Sequence, residues 1–287
     1  MKVLSKAHRN YLSLPILIRI LITLFVFLVI LISTQNLLIF PGAVLSILKS
    51  TERDSSTLPE RVEGGFITAN DGARLEIWRL PVEASQKVAV IFHGNGGDIE
   101  NFFIYQRYFH GIGFTSYGFD YRGYGKSTGW PSERGLYLDT DAAIEFVLGK
   151  ETIEASQLTL VGISVGSGPA AYGADKFQSE ALILFAPFES LPAAVKSTPL
   201  LGLLHPFTIY EFPVKQHVSS LRKTCLIVAH GKKDEVIPFK QGDQVFQSYR
   251  GSGFSEFLIS ETAKHNDIIH KIHPQLTSTI QKCVRER

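Results

Sequence analysis

The chain has 287 residues, 45% of them apolar and 20% charged. That balance suits one large or two small globular domains and excludes a disordered or collagen-like chain. The net charge of +2 is unevenly placed: residues 1–36 hold Lys2, Lys6, Arg9 and Arg19 and no acid, leaving 25 basic against 27 acidic residues in the body. A body so close to neutral is not a basic nucleic-acid binder. Two cysteines without a C-x-x-C pair exclude a disulfide-stapled scaffold, a zinc ribbon and a thioredoxin-type site. Cys225, in an apolar run, reads as a buried thiol, and Cys283 as part of the tail.

Residues 12–32 form a run of 21 residues whose single charge, Arg19, sits near its start. About 20 apolar residues cross a bilayer core, and Arg19 is placed to reach the headgroups. The run lacks the polar face of a core helix. It is also longer than a signal-peptide apolar region, and Ser33-Thr34-Gln35-Asn36 offers no small-residue cleavage site. The expectation is an uncleaved transmembrane anchor within residues 1–36. Positive charge precedes the span, which puts the N-terminus in the cytosol and the body on the periplasmic, lumenal or extracellular side.

Residues 37–61 read as a connector. Its first part, 37–48, is still apolar and suited to lying on the membrane or against the body, while 51–60 is charged and rich in Ser and Thr. From residue 62 to 287 strands and helices alternate. Strands are expected near 62–68 and 74–81, flanking an Asn70-Asp71-Gly72 hairpin turn. Further strands are expected near 87–93, 114–119, 157–162, 181–185, 224–229 and 254–259. Helices are expected near 99–110, 132–149, 165–175, 239–250 and 266–284. The pattern predicts an α/β fold, a mostly parallel central sheet with helices on both faces. Residues 188–220 break the alternation with Pro192, Pro199, Pro206 and Pro213 among Leu200, Leu201, Leu203 and Leu204. They read as a small helical lid inserted over the sheet edge.

G-x-S-x-G occurs twice, around Ser164 and around Ser127. A nucleophile elbow needs a strand running straight into the serine and a helix leaving it, with small residues where the two approach. Ser164 follows such a strand and precedes Val165-Gly166-Ser167-Gly168-Pro169-Ala170-Ala171. Ser127 leads into Gly129-Trp130-Pro131, which cannot begin a helix at the serine. A P-loop reading of Gly125-Lys126-Ser127 fails because Asp120 occupies the position of the first glycine.

A serine hydroxyl needs an imidazole to take its proton, and the imidazole needs an acid to fix its tautomer. The chain order expected for this sheet type is Ser, then Asp or Glu, then His. Asp234 falls in the loop after strand 224–229, with Glu235 as the rival acid. Of nine histidines, only His265 has both the order and the loop position. His270 and His273 fall in the last helix, and His93 and His230 end strands. The glycine-rich turn His93-Gly94-Asn95-Gly96-Gly97 can aim backbone N–H groups at a developing oxyanion. The expected donors are Asn95 and Val165.

With these residues in view, the chain resembles the α/β-hydrolase superfamily, and more narrowly its membrane-anchored abhydrolase-domain and prolyl-oligopeptidase-like serine hydrolases. The likeness covers about residues 60–285. It includes Phe119-Asp120-Tyr121-Arg122-Gly123-Tyr124-Gly125-Lys126-Ser127, the segment HGNGG beginning at His93 and the segment HGKKDEVIP beginning at His230. The resemblance implies a triad of Ser164, Asp234 and His265 with no metal or organic cofactor. The lid region matches poorly and Val165-Gly166-Ser167-Gly168 departs slightly from the family pattern, so the substrate does not carry over. The leading expectation is a hydrolase of carboxylic esters or thioesters of acyl or lipid-like substrates. The alternatives are a peptidase of the same fold and a non-catalytic binding protein.

Overall fold

The computed structural model describes residues 14–49, 58–198 and 202–284. Lys2, Lys6 and Arg9, residues 51–57 of the expected linker, and Pro199, Leu200 and Leu201 of the expected lid lie outside the described residues.

The chain opens with α1 (Leu14–Ile39) and α2 (Pro41–Lys49). Eight strands follow in one sheet: β1 (Glu63–Thr68), β2 (Arg74–Leu80), β3 (Val88–Phe92), β4 (Thr115–Phe119), β5 (Leu158–Ile163), β6 (Ala181–Phe185), β7 (Cys225–Gly231) and β8 (Ser255–Ser260). Their spatial order is β1-β2-β4-β3-β5-β6-β7-β8. β1 and β2 pair antiparallel, with Glu63 opposite Arg79, and β2 pairs antiparallel with β4. The other pairings are parallel. The expected hairpin turn is present, with Gly72 at φ +89° and its N–H donating to the Ala69 carbonyl at 2.8 Å.

The apolar runs form strands because both sheet faces are covered. Along β3, Val88, Val90 and Phe92 face one core while Ala89 and Ile91 face the other, the period-two alternation of a strand. The first core is closed by α4 (Glu133–Glu151), α5 (Ser167–Phe177), α7 (Val214–Ser220) and α8 (Phe239–Ser248). The second is closed by α3 (Phe103–Gly111) and α9 (Ile268–Cys283). The α4 start read from Ser132 is a true cap: the Ser132 hydroxyl accepts from the Gly135 N–H at 3.1 Å.

Three features differ from the sequence reading. Cys225 is not a free thiol and Cys283 is not a loose tail residue. The two form a disulfide across 58 positions, with Cα atoms 5.7 Å apart, because α9 folds back along the sheet until its last turn meets the start of β7. The helix drawn through residue 32 continues to Ile39, and of the two placements expected for the apolar start of the connector the structure takes the one against the body. Phe40 and Ala43 are fully buried in the first core, and the Ser46 hydroxyl accepts from the Gly125 N–H at 3.0 Å. The lid segment also divides. Its first part holds the short helix α6 (Leu191–Lys196) and a 3-10 turn, Gly202–Phe207. Phe212, Val214 and Val218 are fully buried, so its end is part of the core.

Candidate active site

All the site residues expected from sequence sit at the carboxyl ends of parallel strands. This is the edge where α/β sheets bind ligands, beside the point where the strand order reverses around β3. Ser164 follows β5 directly and adopts φ +53°, a left-handed conformation unusual for a residue with a side chain. A 3-10 turn, Ser164–Gly166, carries the chain into α5. The turn is so tight that a Cβ on Gly166 would overlap the Phe92 carbonyl oxygen, and one on Gly162 would lie 2.8 Å from Ala170 Cβ. The small residues around the serine are therefore a steric requirement of the elbow.

His265, in the loop after β8, accepts from Ser164 Oγ through Nε2 at 3.0 Å and donates from Nδ1 to Asp234 Oδ2 at 2.8 Å. The donor roles follow from the partners: a carboxylate only accepts, so Nδ1 carries the proton and Nε2 is free to receive one. Asp234 Oδ1 accepts from the N–H groups of Val236 at 2.9 Å and Ile237 at 2.8 Å. Burial pushes the Asp234 carboxyl up. The hydrogen bonds from His230 and His265, the charge of His265 and the Ile237 amide outweigh burial and hold it well below the usual carboxylate range. Glu235 faces away, exposed, with its Oε1 3.9 Å from Lys264 Nζ. The structure thus brings Asp234, and not Glu235, to His265.

The second serine motif has a different place. Ser127 Oγ donates to the Asp120 carbonyl at 2.7 Å and accepts from the Glu76 N–H at 2.9 Å, pinning the loop after β4 to β2. Arg122 in the same loop bridges Asp71 of the hairpin at 2.7 Å and the buried Asp139 of α4 at 2.8 Å. His93 is buried, with Nδ1 2.7 Å from the Gly94 carbonyl and Nε2 3.6 Å from Asp120 Oδ1, and burial lowers its pKa to about 4. His273 packs its ring on Tyr108, and His270 is exposed.

Asn95 and Val165 line the same cavity as Ser164. The turn carrying Asn95 is held from an unforeseen side. Asn95 Nδ2 donates to the Ile39 carbonyl at 3.1 Å, and the Asn95 carbonyl accepts from the Gly42 N–H at 3.0 Å. The cavity measures about 220 Å³ and is mainly apolar, with Phe188, Leu191 and Val195 on the lid side and Ile237 beside Asp234. Sequence reasoning missed two contributors. One is the end of α1, whose apolar run hid a face turned toward the site. The other is His230, fully buried, whose Nε2 donates to the Ile237 carbonyl at 2.9 Å and lies 3.3 Å from Asp234 Oδ2. Its four-residue spacing from Asp234 was the available signal.

The fold and the elbow define a class, and comparison with known proteins agrees with it. A family model for the alpha/beta hydrolase fold matches residues 88–201. The chain is 32% identical over 197 residues to the uncharacterized protein YfhR of Escherichia coli O157:H7, covering 66% of this chain and 68% of that one. It is 30% identical over 223 residues to alpha/beta hydrolase domain-containing protein 17B of Xenopus tropicalis, covering 75% and 73%. Among solved structures, the Pyrococcus furiosus esterase Pf2001 superposes with a TM-score of 0.65 at 17% identity, covering 81% of this chain and 97% of that one. The chain belongs to the α/β-hydrolase family.

Proposed function

We propose that the protein is a membrane-anchored serine hydrolase that cleaves carboxylic esters or thioesters of acyl or lipid-like substrates. The observation that carries this is the unbroken relay from Ser164 through His265 to the buried Asp234, at 3.0 and 2.8 Å, opening on an apolar cavity.

In the reaction His265 Nε2 takes the Ser164 proton as Oγ bonds to the substrate carbonyl carbon, and the carbonyl electron pair moves onto oxygen. The N–H groups of Asn95 and Val165 stabilise that oxyanion. Asp234 supports the imidazolium. Collapse of the adduct breaks the bond to the leaving oxygen or sulfur, which receives the proton from His265 and departs. Water, deprotonated by His265, then attacks the acyl-enzyme, and the reverse sequence releases the acid and restores Ser164. These side chains, the two backbone N–H groups and water account for each bond made and broken. Apolar walls favour an acyl chain over a charged or peptide-like group, and the esterase name of the Pyrococcus neighbour is in keeping with ester cleavage.

The helix Ile16–Ile39 is long and apolar enough to cross a membrane, and we read it as an uncleaved anchor with the N-terminus in the cytosol. Two features support a body outside the cytosol: the basic, acid-free stretch 1–36 and the Cys225–Cys283 disulfide, a bond that persists in oxidising compartments.

Labelling with a fluorophosphonate probe tests the hydrolase reading. Wild type is expected to label at Ser164, and an unlabelled wild type would favour a binding protein. A panel of acyl esters, acyl thioesters and aminoacyl amides then separates an esterase from a peptidase. Protease protection in intact cells or spheroplasts tests the orientation, and a body digested only from the cytosolic side overturns it.

A further inference from the structure

The cavity beside Ser164 is not built from the hydrolase body alone. Leu31, Gln35, Leu38 and Ile39 of α1 line it, and their spacing puts them on one helical face. Gln35 fastens that face to the lid segment. Its Nε2 donates to the Phe207 carbonyl at 2.7 Å, and its Oε1 accepts from the Ile209 N–H at 3.0 Å. Tyr210 adds a hydrogen bond to Asn36. The same helix presents Leu24, Phe25 and Phe27 away from the cavity, each more than half exposed, while Leu38 lines the cavity with part of its side chain and is itself 62% exposed.

Depth along the helix follows from its geometry. At 1.5 Å per residue, a hydrocarbon core of about 30 Å takes roughly 20 residues. Counted from residue 12, where the apolar run begins, that distance ends at about Leu31, and counted from Ile16 it ends at about Gln35. Leu31 then lies at the hydrocarbon boundary or just inside it and Leu38 on the body side, so the cavity wall meets the membrane surface. The lid agrees with this placement. Leu203, Phe207 and Ile209 are 87%, 45% and 48% exposed, an apolar group beside the Gln35 clamp. Such a group suits the headgroup boundary better than water.

The cavity is also small. At about 220 Å³ it falls below the roughly 300–1,000 Å³ of sites that enclose a whole ligand. It can hold a carbonyl group and the first methylenes, while the rest of a long chain has to leave it, and the α1 face offers an apolar way out. A chain leaving along Leu31 enters hydrocarbon and never exposes its methylenes to water.

We propose that α1 is a wall of the substrate site as well as an anchor. A long-chain acyl ester or thioester resident in the leaflet beside the body reaches Ser164 along the Leu31–Leu38 face, and Leu31 and Leu38 set its chain-length selectivity. This rests on the acyl-hydrolase and anchor readings above and adds the source of the substrate and the residues that select it.

The test uses the full chain in phosphatidylcholine vesicles, with 4-methylumbelliferyl palmitate and 4-methylumbelliferyl butyrate as substrates. Fluorophosphonate titration counts the active sites, so each rate is expressed per competent molecule. Leu31→Trp and Leu38→Trp narrow the passage from two depths and are expected to lower the palmitate-to-butyrate ratio of kcat/KM at least tenfold. Phe25→Trp, on the same helix but outside the cavity, is expected to keep the ratio of the wild type. Full titration with an unchanged ratio in both cavity variants would overturn the route along α1 and leave the hydrolase reading standing. An equal fall in Phe25→Trp would also overturn it, by assigning the effect to the bilayer rather than the wall. A wild type that does not titrate at all would remove the hydrolase reading, and this inference with it.

Discussion

His230 Nε2 lies 3.3 Å from Asp234 Oδ2, the same oxygen that accepts from His265. The Nε2 proton is shared with the Ile237 carbonyl at 2.9 Å, which fixes His230 in one tautomer. One carboxylate oxygen therefore faces two imidazole N–H groups, while the other accepts two backbone amides. The carboxylate cannot turn without breaking several bonds at once. Asp234→Asn is expected to lower kcat by roughly 10⁴, because an amide neither holds the imidazole tautomer nor stabilises its charge. His230→Gln keeps a donor in approximately the right place and is expected to cost about tenfold, well short of the carboxylate's own effect. Glu235→Gln is expected to keep turnover near wild type. Steady-state kinetics on one soluble ester checks all three.

Ser164→Ala is expected to abolish hydrolysis and probe labelling. Ser127→Ala is expected to keep labelling and to lose stability instead. Removing its hydroxyl strands the buried Glu76 N–H and takes one donor from the Asp120 carbonyl, at a cost of about 1–3 kcal/mol. Denaturant titration alongside labelling separates the two effects. Labelling that survives Ser164→Ala and disappears in Ser127→Ala would reverse the assignment.

Two histidines give the pH dependence two separate origins. Activity requires a neutral His265, since an imidazolium cannot accept the serine proton. Asp234 adds no step of its own, because its carboxyl is held below the usual range. Stability responds through His93, whose pKa burial lowers from 6.5 to about 4. Between those values the unfolded chain binds a proton that the folded chain does not. His93 thus favours the fold above pH 6.5, and that stability is lost as pH falls toward 4, by about 3 kcal/mol at most. His93→Gln is expected to flatten the dependence of unfolding free energy on pH in this window. A slope equal to that of the wild type would show that other groups carry it.

The Cys225–Cys283 bond closes a loop that contains both Asp234 and His265. Closing a loop of this length stabilises by about 4 kcal/mol in the chain-entropy account. Replacing both cysteines by serine is expected to lower Tm by roughly 5–15 °C. Probe labelling at low temperature should persist, because neither sulfur touches the reacting groups. Alkylation of the protein isolated from cells, before and after reduction, checks that the bond forms there.

The parts of the fold visible in the sequence are those fixed by local patterning. β3, β6 and β7 are buried on both faces, so their composition alone marks them. Ser164 was separable from Ser127 because an elbow demands small residues on its helical side. What escaped depends on contacts between distant segments. Nothing near Cys225 points to a partner 58 residues away. Phe212 and Val218 look like lid residues until α5 and α8 are placed beside them. The face of α1 that meets the cavity is masked by the uniform hydrophobicity that makes the helix long and apolar enough to cross a membrane.

The bond from Asn95 to the Ile39 carbonyl bears on how the protein should be prepared for biochemistry. The usual route to a soluble reagent is to delete the apolar leader. Here a cut after residue 39 would remove the acceptor that steadies the Asn95 turn, unfasten Gln35 from the lid and leave one side of the cavity open to solvent. On the acyl-hydrolase reading proposed above, such a shortened protein is expected to hydrolyse small activated esters and to misreport what the full chain prefers. Inhibitors selected on it would be fitted to a cleft that the full chain closes with its own helix.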